Sequence, residues 1–70
     1  MMKYRQWHSN WIDSIRLFGV PEEKYKDMRQ DTEGLVNLIL EQGWNLVAVS
    51  NHESFNNAYS HDVYHFTKEI

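Results

Sequence analysis

Glu41-Gln42-Gly43-Trp44-Asn45-Leu46-Val47-Ala48-Val49-Ser50 joins a helix to a strand, and this junction decides the fold. Upstream, Leu35, Val36, Leu38 and Ile39 are apolar, while Glu33, Asn37 and Glu41 recur every fourth residue, the polar stripe of an amphipathic helix. Gly43 supplies the left-handed residue at which such a helix stops. Downstream, Trp44 to Ser50 alternates as a strand, with Trp44, Leu46 and Ala48 on one face and Asn45, Val47 and Val49 on the other. Both faces are rather apolar, which predicts a central strand covered on two sides.

Working outward, residues 61–70 alternate again, Tyr64, Phe66 and Ile70 opposite Val63, His65, Thr67 and Glu69, and read as a second strand. Between the two strands lies Asn51 to Ser60, longer than the 2–5 residues of an ordinary hairpin loop. On the other side of the helix, Asp31-Thr32 is either its N-cap or the middle of one longer helix. Pro21 to about Arg29 is expected to be helical, with Pro in the first turn and Glu22 and Glu23 at the positive end of the dipole. Residues 9–19 read two ways. Asn10 and Gly19 cap a short helix carrying Trp11, Ile12, Ile15 and Phe18, yet Trp11, Ile15 and Leu17 also keep a strand's period. Residues 2–8 read as an edge strand, its Lys3 and Arg5 discouraging unwanted pairing. The expectation is a single α+β domain over 1–70: a small antiparallel sheet of three to four strands with one main helix packed on one face, in two layers.

A chain of 70 residues buries only about 60% of the surface it exposes when unfolded. With no cysteine, disulfides and thiolate metal sites are excluded. Three Trp, four Tyr and three Phe are more apolar area than a thin two-layer fold encloses, so surplus aromatics are expected at an interface, as in a homo-oligomer, dimer or higher. The net charge of −3, with Lys24, Lys26 and Arg29 interleaved among Glu22, Glu23 and Asp27, argues against direct nucleic-acid binding. Strictly apolar runs such as Leu38-Ile39-Leu40 are too short to span a membrane. Met1 to Trp7 lacks the apolar middle of a signal peptide, so a cytoplasmic location is expected.

The run Glu41 to Val49 resembles the -EGWELVxV- signature of a widespread bacterial and phage family, domain of unknown function 4177. Tyr64-His65-Phe66-Thr67-Lys68 stands where that family has an aromatic strand with a closing basic residue, and Pro21-Glu22-Glu23-Lys24-Tyr25 is similar to the opening of some members. The resemblance covers roughly residues 20–70; residues 1–19 match poorly, and Asn45 replaces the usual charged residue after Trp. It implies a sheet with one helix across it. It transfers neither an activity nor a catalytic residue.

Gly43 and Trp44 read as architecture, the glycine ending the helix and the indole plugging the helix–sheet corner. Among His8, His52, His61 and His65, the pair His61 and His65 has the zinc spacing of a helix. On a strand the two share a face roughly 13 Å apart, so a shared metal would need His8 or His52 beside just one of them. No metal or cofactor is expected. Ser60-His61-Asp62 holds the letters of a catalytic triad, but strand neighbours point to opposite faces, and no catalytic residue is assigned. The candidate binding residues are His52, Glu53, Phe55, Asn56, Asn57 and Tyr59, aromatic anchors and adaptable amides composed as binding loops are.

Three functions follow. The first is a non-enzymatic interaction protein that self-associates, an accessory of phage or mobile-element type that binds and modulates a host protein. The second is a small-ligand binder of nucleotide type, with a pocket at a subunit interface, aromatics for the base and Arg5, Arg16 or Arg29 for phosphate. The third, least supported, is a histidine-dependent metal enzyme.

Overall fold

The computed structural model describes residues 1–53 and 60–70. Its main helix, α2 (Thr32–Glu41), starts where the Asp31 carboxylate accepts the Gly34 N–H at 2.9 Å. Asp31 is thus the N-cap, and its non-helical backbone (φ −101°, ψ 75°) prevents one long helix from running through. Leu35, Val36 and Ile39 turn inward, and Glu33, Asn37 and Glu41 face water. Gly43 closes the helix at φ +92°, a conformation that costs other residues roughly 1–2 kcal/mol. No basic residue lies in the last turn of α2. Instead Lys68, from the far end of the chain, donates to the Gln42 carbonyl at 2.9 Å and lies over the Trp44 ring. One ammonium therefore meets both the negative end of the helix dipole and the face of an indole.

The preceding segments are shorter than expected. α1 is a single turn, Glu22–Tyr25, and the chain then proceeds to Asp31 through tight turns in which Met28 and Asp31 each donate three residues back. Residues 9–19 form neither an α-helix nor a strand but a 3-10 helix, Ile12–Phe18, ended by Gly19. Its three-residue turn stacks Ile12, Ile15 and Phe18, and Ile15 and Phe18 enter the core.

The sheet has three antiparallel strands, β1 (Met2–His8), β2 (Asn45–Glu53) and β3 (Ser60–Glu69), in the order β1-β3-β2. β1 is an edge, as its charges imply. The two-sided cover predicted for β2 is not found: β2 is the other edge and β3 is central. Both faces of β2 are apolar for a local reason. Leu46 pairs with Phe66 and Ala48 with His65, so Val47 is the extra residue of a bulge. Beyond the bulge the alternation is reset, and Ala48 leaves the face shared by Trp44 and Leu46. Val47 and Val49 stay more than half exposed on this edge.

The helices cover one face only. Trp7, Tyr64 and Phe66 point that way and meet Ile15, Phe18, Val20, Tyr25, Leu35, Val36, Ile39 and Trp44 in the core. The α+β, two-layer expectation with one main helix on one face is met. The segment read as a loop from Asn51 to Ser60 is shorter at both ends, because Asn51, His52 and Glu53 still pair with Asp62, His61 and Ser60.

Candidate functional site

Among the described residues the other face of the sheet carries no helix, and strand register fixes what stands on it. His8 and Ser50 pair across Val63, Gln6 and Ala48 across His65, Tyr4 and Asn45 across Thr67, and His52 faces His61. Val63 is the centre. It is 5% exposed yet stands apart from the core cluster, so its side chain is covered on the helix-free side by its own neighbours. His8 and Ser50 flank it across the strands, and His61 and His65 flank it along β3.

These flanking groups are held in two hydrogen-bonded sets. In the first, the His65 ring bridges Tyr4 and Ser50: Nδ1 meets the Tyr4 hydroxyl, Nε2 lies 2.8 Å from Ser50 Oγ, and Gln6 Nε2 donates to the Tyr4 oxygen at 2.9 Å. This has the connectivity of a nucleophile, base and orienting group. Its polarity runs the other way. A phenol is a stronger acid than a neutral imidazole, so Tyr4 is the better donor in the contact with Nδ1. That choice puts the ring proton on Nε2, where it donates to Ser50 instead of taking its proton. The set orders the surface and leaves Ser50 unactivated.

In the second set three imidazoles cross the sheet in a row. His8 Nδ1 lies 2.8 Å from His61 Nε2, and the rings of His8 and His52 are each centred 5.0 Å from that of His61. Register separates His61 from His65, as strand spacing requires, and brings His8 and His52 to His61. Among the described residues, no three His, Asp or Glu side chains converge on one point as metal ligands do. Partial withdrawal from water, then the imidazoles of His8 and His52, push the His61 pKa below 6.5, with Asp62 opposing. A neutral pair can share one proton between His8 and His61, whereas a doubly protonated pair offers two donors and no acceptor.

The sign of the pH dependence follows. With its folded pKa lowered, His61 binds fewer protons in the folded state than in the unfolded chain, so stability is lost as pH falls below the ordinary imidazole value. The melting midpoint should therefore drop between about pH 7.5 and about pH 5, and His61→Gln should reduce that drop. An equal drop in the variant would assign the acid sensitivity to other groups.

Of the residues proposed from sequence as a binding loop, His52 stands on this face in the histidine row. Glu53 closes the ladder opposite Ser60. Phe55, Asn56, Asn57 and Tyr59 lie outside the described residues. The letters Ser60-His61-Asp62 separate as strand geometry demands: His61 meets His8, while Asp62 accepts from Asn51 Nδ2 at 3.1 Å. Gly43 and Trp44 are architectural, the indole N–H donating to the Phe18 carbonyl at 3.2 Å. Tyr4 and Ser50 were not legible as site residues, since their meeting depends on β1 and β2 flanking β3. Comparison with known proteins returns no matching family model, no matching curated protein and no matching solved structure.

Proposed function

We propose that this chain is a non-enzymatic interaction protein that self-associates through the helix-free face of its sheet. The observation that carries the reading is that this face is preordered. Tyr4, His65 and Ser50 are locked in one hydrogen-bonded set and His8 and His61 in another, around Val63. Fixing side chains before association lowers the entropy lost on docking. The edges are less suited to the task. β2 carries the Val47 bulge and β1 carries Lys3 and Arg5, devices that blunt strand-to-strand addition. The polarity of the Tyr4–His65–Ser50 set favours binding over catalysis. The resemblance to a bacterial and phage family is the ground for the broader part of the proposal, an accessory that binds and modulates a host protein.

Sedimentation equilibrium of the untagged chain across micromolar concentrations should give a dimer or higher species. A single monomeric species throughout that range would overturn the reading.

A further inference from the structure

The helical layer, on the opposite side of the sheet, holds a different feature. A half-open cavity of about 260 Å³ lies between the 3-10 helix and α1, lined by Ile12, Asp13, Arg16, Glu22, Tyr25, Lys26 and Arg29. Three cations and two carboxylates thus line one small space. Among the described residues, neither guanidinium, nor the Lys26 ammonium, nor either carboxylate forms an ion pair or a side-chain hydrogen bond. Arg5, by contrast, is committed, donating to the Leu17 carbonyl and lying over Trp44.

Tyr25 is the buried member of the lining, 2% exposed, and its hydroxyl is closed off from the cavity's solvent, so the residue serves as floor and the charged side chains are the groups a ligand can reach.

We infer that this cavity binds a small phosphorylated sugar, free or as part of a nucleotide. Arg16, Lys26 and Arg29 meet the phosphate, with the guanidiniums offering forked donors suited to its oxygens. Asp13 and Glu22 accept from sugar hydroxyls, a role that a site for phosphate alone would not need. Ile12 and Tyr25 supply the apolar part of the wall. The site is complete within one chain and does not depend on the sheet-face association proposed above.

Isothermal titration of the untagged full chain with inorganic phosphate, ribose, ribose 5-phosphate and AMP tests this. Saturable binding is expected for ribose 5-phosphate, for AMP or for both, at least tenfold tighter than for inorganic phosphate, and none for ribose. Preference between the first two tells a free sugar phosphate from a nucleotide. Arg16→Gln and Arg29→Gln, both exposed, should each weaken binding by tenfold or more at unchanged melting temperature. No saturable binding of either phosphorylated sugar in the millimolar range would overturn the proposal. Binding that both variants leave unaltered would overturn it as well.

Discussion

Trp44→Ala is expected to leave most of the chain unfolded at room temperature. Trp44 is 6% exposed and sits at the corner where α2 ends and β2 begins. Its ring meets Phe18 edge-on at 5.1 Å, its N–H satisfies the Phe18 carbonyl, and Arg5 and Lys68 lie over its face. Truncating a buried aromatic to alanine costs about 3–5 kcal/mol. Domains of this size hold about 3–5 kcal/mol in a single core, so the loss is comparable with the whole stability. Trp44→Phe separates the contributions: it keeps an aromatic ring in the corner and deletes the N–H, leaving the Phe18 carbonyl unpaired at a cost of about 1–3 kcal/mol. Urea denaturation followed by circular dichroism measures both. An alanine variant melting within a few degrees of the parent would mean that the fold does not depend on this corner.

The same corner shows which parts of the fold were legible in the amino-acid order. The α2 stripe and the Gly43 stop are signals written within one or two turns of where they act, and both were readable, whereas Asp31-Thr32 read equally as a cap or as the middle of one longer helix. Lys68 acts across the whole domain. Its role as cation for α2 follows only once β3 lies beside the helix end, although the resemblance had marked a basic residue at that place. The 3-10 helix was ambiguous because Ile12, Ile15 and Phe18 recur every third residue, between the periods of an α-helix and a strand. Strand order was the largest gap. Two-faced apolarity in Trp44 to Val49 implied a covered central strand, yet a bulge that nothing in Leu46-Val47-Ala48 announces resets the alternation. The pairing of Met2 with Glu69 that makes β3 central joins opposite ends of the chain. The fold does not enclose every aromatic, as its thinness implied. Trp7, Phe18, Tyr25, Trp44 and Phe66 all fit inside, whereas Tyr4 and Trp11 stay more than half exposed.

Ala48→Arg is expected to dissociate the proposed assembly while sparing the fold. Ala48 is exposed and pairs with His65 on the helix-free face, beside the Tyr4–His65–Ser50 set, so a longer side chain there meets solvent in the monomer. In the assembly the same guanidinium would be buried without a partner, which costs about 3–5 kcal/mol and weakens association by a factor of about 100 or more. The bulge makes this position diagnostic. Had the alternation run unbroken from Trp44, Ala48 would face the helices, and arginine there would unfold the domain instead. Sedimentation equilibrium and a thermal melt on one sample distinguish the outcomes: a folded monomer supports association through the face. A folded variant assembling as tightly as the parent would move the interface elsewhere, to the edge where Val47 and Val49 are exposed or to the surface around Trp11 and Leu17. An unfolded variant would contradict the register from which the face was assigned. Because fold and assembly respond to different sides of one sheet, a single substitution at Ala48 tests both the bulge and the surface it creates.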